Sequence, residues 1–544
     1  MAGRGFGGEA GLLAGHDLDR PARVEHSDAA VRHAELHVED DAARHEARRR
    51  GPEVDHGSGA GDPPVPGDRN PGRGARRRRG GARRDRRRVR VQRRLGKEDD
   101  GHAEARERPD AARGHARLGQ RGTGLSGVEH GRRLRGDSVT GRAVLAAALC
   151  SSAAGAQIYD ILIKNGHVLD PANKRNGRAD VAIVRNRIVR VAPDLPAAHA
   201  RRLIEAGGYY VTPGLIDIHT HVDAHGAPLN VNPDHNALRA GVTTVVDAGS
   251  SGADNFEKFR REIIDESKTR VLAFVNIVAA GMYGPAVEND PKQMDAAKAA
   301  AIARKHKDVV VGIKTAHYRP ADWTAVDNAV KAAEESGGVC MVDFHPQPGR
   351  EYPELILKRM RPGDIHTHVY GRLIPILDKD NKLQPYMAEA RRRGVLFDVG
   401  HGSGSFWFRI AAPAVRQGFL PDTISTDLHR NSIMLPRANL IVTMSKFLNI
   451  GMTLEQVVER ATVNPARAIR RPELGTLSEG APADVAVIQL ERGRFAYLDS
   501  GRGKLTGDTR LRCAVTVRDG KVVWDEDGLA AADWLSTGPY SNFR

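Results

Sequence analysis

Cysteine is nearly absent, with three thiols in 544 residues and none in the first 140. Cys340 and Cys513 are far apart and lie in apolar, strand-like runs. Buried free thiols are therefore expected, rather than a disulfide scaffold or a cysteine metal site. Aromatic residues make up 5% of the chain, and residues 1–140 contain no Ile, Tyr, Trp or Cys and a single Phe. Such a stretch cannot bury enough apolar surface to offset its ordering entropy, so residues 1–138 are expected to be a disordered, Arg-rich segment. Long hydrophobic runs are missing too, which excludes a membrane-spanning helix in the mature chain.

The formal charge of +15 invites a nucleic-acid reading. More than half of it sits in the first 140 residues, where 31 basic groups face 23 acidic ones. The remainder carries an ordinary surface balance. Between the two parts, residues 139–156 hold Arg142, the short apolar run Ala143 to Leu149, and a small-residue end at Ala156. That order is the pattern of a secretory signal with cleavage before Gln157. Leu149 precedes Cys150, where a lipoprotein signal needs a small residue, so lipidation is not expected. Because such a signal works only from an N-terminus, translation is expected to begin near Val139, which places the protein in the periplasm or outside the cell. A start at Met1 implies a cytoplasmic protein. The rival reading of the Arg-rich segment is a nucleic-acid-binding arm, but it lacks aromatic stacking residues and a docking motif.

From Val144 onward the pattern is globular. Residues 159–168 and 180–191 alternate apolar and polar positions, and so do 483–489 and 513–524, which predicts one small β-sandwich domain built from 157–210 and 475–530. Between them, eight strand candidates recur at 215–221, 243–248, 271–277, 309–315, 339–345, 364–370, 395–400 and 423–429. Amphipathic helical segments separate several of them. Eight β/α repeats predict an α/β fold, a (β/α)8 TIM barrel over 211–474, whose active site lies at the C-terminal strand ends.

The histidines cluster at those ends: His219, His221, His345, His366, His368, His401 and His429. His219 and His221 are two apart on a strand, so both rings leave one side and can grip one cation. Asp427, at the eighth strand, points inward at the corresponding level. Lys314 ends an apolar strand, where burial disfavours its ammonium form. A neutral amine there can take up carbon dioxide as a carbamate that bridges two metals, or the lysine can simply pair with an acid.

These motifs resemble those of the amidohydrolase superfamily, in particular its dihydroorotase and D-aminoacylase-like amidohydrolase/deacetylase branch. The likeness covers essentially all of residues 158–525, through Ile161-Leu162-Ile163-Lys164-Asn165-Gly166, His219-Thr220-His221, Lys314, Thr367-His368-Val369-Tyr370, Phe397-Asp398-Val399-Gly400-His401-Gly402 and Ser425-Thr426-Asp427-Leu428-His429. The resemblance implies that His219, His221 and Asp427 hold one metal, and that a carbamate on Lys314 bridges to a second held by His368 and a strand-five ligand. Many relatives place histidine at that last position. Here Asp343 stands there and His345 follows two residues on, so either is open as the ligand. His366, one pleat below His368, is expected to pack or brace. His401, Gly402, Ser403 and His429 are expected to contact substrate, with His401 orienting it or stabilising an oxyanion.

The expected function is hydrolysis of an amide or acyl-ester bond in a small molecule by a hydroxide activated on two divalent ions, most plausibly zinc, with Asp427 moving the proton. A cyclic-amide hydrolase of dihydroorotase or hydantoinase type and a catalytically silent binding barrel are the alternatives. A small-molecule substrate is the expected partner, with neither nucleic acid nor, after signal cleavage, membrane; homo-oligomerisation is left open. Mass spectrometry of the native protein is expected to find no tryptic peptide from before Val139, and finding one would refute the later start.

Overall fold

The computed structural model describes residues 158–539 apart from 225, 227 and 228. The Arg-rich and signal segments lie outside the described residues. The chain opens with β1 (Ile161–Asp170), β2 (Arg175–Val184), β3 (Arg187–Ala192), β4 (Leu203–Glu205) and β5 (Tyr210–Pro213). It continues with β6 (Leu215–Thr220), β7 (Val242–Gly252), β8 (Arg270–Asn276), β9 (Val310–Thr315), β10 (Val339–Val342), β11 (Ile365–His366) and β12 (Leu396–Phe397). It ends with β13 (Val485–Leu498), β14 (Lys504–Arg518) and β15 (Lys521–Asp525).

The first and last strands of the described region share one sheet, because β5 pairs in parallel with β1 and antiparallel with β13. The expected sandwich takes the form of a single hydrogen-bonded path in the order β15-β14-β13-β5-β1-β2-β3, with β4 added on β1. Its own core gathers Ile161, Ile163, Val181, Ile183, Val211, Val487, Val515 and Val517. Alternate positions of β3 stay exposed or half-buried, as a sheet with one wet face requires.

The second sheet runs β6 to β12 in sequence order, every neighbour parallel. Residues 423–428 close it through two bridges, Asp398 with Thr423 and Thr220 with Leu428. β6, β7, β9 and β10 are buried at every position, the pattern of strands covered on both faces. Helices supply that cover. Asp295 caps the helix Ala296–Lys305 by accepting from the Lys298 amide, and Gly337, at φ 72°, ends the helix Thr324–Ser336. The apolar cluster Ile216, Ile218, Val246, Phe274, Met341 and Ile365 is completed by Ala466, Ile469 and Leu474.

The sixth, seventh and eighth barrel strands are shorter than their sequence suggests. His368 (φ 64°), Gly400 (φ 47°) and Asp427 (φ 47°) leave the extended region, so the ladder stops just before the residues that carry chemistry. Among the described residues, no helix is long and apolar enough to cross a membrane. Phe256 is fully buried, edge-on to Phe259 at 6.0 Å and tilted on His306 at 5.1 Å. Phe256→Ala is expected to lower stability by about 3–5 kcal/mol in urea denaturation; an unchanged midpoint would mean the helix layer closes over the gap.

Candidate active site

The end of β6 presents His219 and His221, and the hydrogen-bond chains behind them determine which ring nitrogen faces inward. Thr367 donates its hydroxyl proton to Asp398, at 2.8 Å, so its oxygen can only accept from His219 Nδ1, at 2.7 Å. Ser250 likewise donates to Asp247, at 2.8 Å, and accepts from His221 Nδ1, at 3.0 Å. His368 Nδ1 meets the Gly400 carbonyl at 2.6 Å, which can only accept. All three rings therefore carry a proton on Nδ1 and turn Nε2 into the site, the nitrogen left free to ligate a metal when the ring is neutral. Burial, then Lys314, pulls the His219 imidazolium down to about 3.

Two carboxylates receive those nitrogens. Asp427 Oδ1 lies 3.1 Å from His221 Nε2, 3.7 Å from His219 Nε2 and 3.3 Å from His429 Nδ1. Burial pushes its carboxyl up, but hydrogen bonds from His221 and His429 outweigh this and hold it well below the usual range. Asp343 Oδ2 lies 3.5 Å from His368 Nε2 and 3.5 Å from His317 Nε2. Burial raises it, and His368 more than compensates. Lys314, 1% exposed, extends from β9 to place Nζ 3.2 Å from His219 Nε2, and burial lowers its ammonium pKa.

Two glycines make the convergence sterically possible. A Cβ on Gly400 would lie 2.2 Å from Thr367 Oγ1 and 2.7 Å from His368 Nδ1, and one on Gly402 would lie 2.3 Å from Asp427 Oδ2. Both also sit at positive φ, which glycine adopts without the cost a Cβ brings, so space and backbone together favour glycine. Asp398 braces the arrangement, accepting also from Thr423 Oγ1 and Ser425 Oγ at 2.6 Å each. Asp217 binds Thr426 through Oγ1 at 2.5 Å and N at 3.1 Å, and burial raises its carboxyl to about 7.

The donor set fits divalent cations. His219, His368 and Asp427 offer ligand atoms all within 4.8 Å of one another. Buried Asp343 Oδ1 has no hydrogen-bond partner among the described residues, the condition of an oxygen built for a cation.

Comparison with known proteins agrees with this geometry. The amidohydrolase family model matches residues 408–523. A deacetylase of Enterococcus faecalis is 30% identical over 372 residues, covering 67% of this chain and 99% of that protein. The chain belongs to the amidohydrolase superfamily. A deacetylase of Agrobacterium fabrum is 34% identical over 323 residues, 58% of this chain and 79% of the relative. Among solved structures, an adenine deaminase superposes with a TM-score of 0.63 at 30% identity, covering 68% of this chain and all of that one.

In this amidohydrolase the strand-five group brought to the site is Asp343. His345 has a half-exposed side chain with Nδ1 3.9 Å from Asp343 Oδ1. The two-residue alternation that put both on one side fails because β10 ends at Val342. His366 is buried between Tyr352 and Phe397, with both ring nitrogens unpartnered and its pKa pulled to about 4 by burial, so it packs. His401 is a correction. Its Nδ1 meets the Gly402 carbonyl at 2.9 Å, its Nε2 meets Lys446 Nζ at 2.7 Å, and its ring stacks on Phe406 at 4.6 Å, so it is enclosed and not offered to substrate. Ser403 is exposed with Oγ 3.4 Å from His429 Nε2, and His429 in turn stands beside Asp427.

Asp398, Asp217, Asp247 and Lys446 had no assigned role in the sequence reading. Asp217 and Asp247 lie within β6 and β7 and Asp398 directly follows β12, a placement on barrel strands that could have marked them. Lys446 carries no such signal, because only folding buries it, and burial brings its ammonium down to about 7. Between pH 7 and the ordinary 10.5 the folded chain binds fewer protons at Lys446 than the unfolded chain does. Thermal unfolding is therefore expected to show wild type gaining stability relative to Lys446→Met as pH rises from about 7 to 10; a pH-independent difference would contradict this.

Proposed function

We propose that this chain is a metal-dependent hydrolase that cleaves an amide or acyl-ester bond of a small molecule. The observation that carries the reading is the convergence of three inward-facing Nε2 atoms, from His219, His221 and His368, on Asp427 and Asp343 beside Lys314. His219, His221 and Asp427 would hold one divalent ion, and His368 and Asp343 another, with Lys314 between them. Mixed nitrogen and oxygen donors suit zinc. Such ions supply, when bound, acidification of a water and polarisation of an acyl carbonyl.

The remaining chemistry belongs to the chain. Lys314, its ammonium disfavoured by burial, would add through its free amine to the carbon of carbon dioxide and release one proton to solvent, leaving a carbamate whose oxygens could serve as an anionic ligand. Asp427, kept ionised by His221 and His429, takes the proton of the attacking water and returns it to the leaving nitrogen or oxygen. His429 steadies that carboxylate, with Nδ1 2.7 Å from the Asp427 carbonyl oxygen. The deacetylase relatives favour removal of an acetyl group. A solved dihydroorotase, TM-score 0.60 and 29% identical, favours a cyclic amide as the second reading. Product analysis separates the two, since ring opening yields one molecule and deacylation two.

In the full chain purified without chelators and with bicarbonate, Asp427→Asn is expected to lower kcat by about 10²–10⁴-fold on whichever N-acyl amino acid, acyl ester or cyclic amide the wild type turns over, with an unchanged circular-dichroism spectrum. Wild-type turnover in that variant would sink the role of Asp427.

A further inference from the structure

His317 stands three residues beyond Lys314, just past the end of β9, with its backbone in the left-handed region at φ 58°. For a side chain with a Cβ this conformation is costly, and it is kept where the surroundings impose it. Here it turns the ring back toward Asp343. Nδ1 lies 2.6 Å from Glu288 Oε2, and Glu288 is itself buried, with Oε1 accepting from the Gly284 amide at 2.7 Å. Nε2 faces Asp343 Oδ2 at 3.5 Å.

Two features of this arrangement match the site's other histidines. The first is the division of labour within the ring. Like His219, His221 and His368, His317 has Nδ1 held from behind by an oxygen and Nε2 directed at one of the two site carboxylates. A carboxylate behind Nδ1 is the commonest outer support of a metal-bound histidine, because it fixes ring orientation and raises the basicity of Nε2. The second is spacing. Both His317 Nε2 and His368 Nε2 stand 3.5 Å from the same oxygen, Asp343 Oδ2. That exceeds the usual N–H···O separation of about 2.7–3.2 Å. It matches two donors on one cation, since ligand atoms at about 2.0–2.2 Å from a tetrahedral ion lie roughly 3.3–3.6 Å apart. The ring is also half-exposed, with 51% of its side chain open to solvent.

We infer that His317 is a ligand for the second divalent cation, sharing it with Asp343 and His368. The inference rests on the two-cation reading proposed above and extends it. With Asp343 at the strand-five position, oxygen replaces nitrogen there, and His317 returns a nitrogen donor from the loop after strand four. Glu288 is then a positioning residue that acts through His317.

Cobalt(II) titration of chelator-stripped full-length protein in bicarbonate tests this, with metal per chain read by elemental analysis and the coordination environment by visible absorption. Wild type is expected to bind two equivalents. His317→Ala is expected to keep the first at wild-type affinity and to weaken the second at least tenfold, with a changed absorption band. Glu288→Gln is expected to weaken the second by about 10–100-fold, as loss of outer support does, while circular dichroism shows both variants folded. Two equivalents at wild-type affinity with an unchanged spectrum in His317→Ala would overturn the His317 assignment and leave the two-cation reading standing; this includes the case where only KM for substrate rises. Fewer than two equivalents in wild type would overturn both.

Discussion

The site depends on one electrostatic constraint: two carboxylates, buried Asp343 and largely buried Asp427, share a small volume with Lys314 and a ring of histidines and stay ionised only because those groups lie close. Asp427 is held ionised by His221 and His429, and Asp343 by His368, each against the pull of burial. Asp343 still leaves one oxygen unpartnered. A buried anion is tolerated only when it is paired or coordinates a cation, so the surrounding structure is arranged to let cationic or lone-pair groups come close. Burial lowers the pKa of His368, and Asp343 more than offsets this and raises it.

Meeting that demand has shaped the backbone. A regular barrel strand would carry its side chains past the site at fixed spacing. At His368, Gly400 and Asp427 the chain instead turns into the left-handed region, ends the ladder and lets the strand ends crowd together. Gly400 and Gly402 complete this by having no Cβ where Thr367, His368 and Asp427 need the room. The short β11 and β12, and an eighth strand reduced to two bridges, are the price of that crowding. The hydrogen bonds of Asp398 and Asp217 to threonine and serine groups hold together the ends that the ladder no longer joins.

Behind the site, polar chains set the tautomers. His219, His221 and His368 each lean on an acceptor that has no proton left to give, so the inward nitrogen is settled before any ligand arrives. This is pre-organisation in a specific sense: the rings cannot tautomerise away from ligation without breaking a buried hydrogen bond. The outer sheet has a separate task. By pairing β5 with both β1 and β13 it joins the first and last strands of the described region beside the barrel, and it presents none of the groups that gather at the site.

Much of this was legible in the sequence. Eight β/α repeats follow from alternating strand and helix periods, and His219, His221, Lys314, His368 and Asp427 follow from their positions at predicted strand ends, because strand geometry is local and repeats every two residues. That logic failed wherever a strand stopped early. Asp343 and His345 share a side only while β10 continues, and it ends at Val342; His401 lies one residue past Gly400, where the left-handed turn sends its ring to Lys446. The burial of Lys446, the bracing by Asp398 and the meeting of His317 with Asp343 link residues on different elements. Periodicity reports which way a side chain leaves its own strand. Which groups it then meets is decided only when the strands close into a barrel and their ends are bent toward one another.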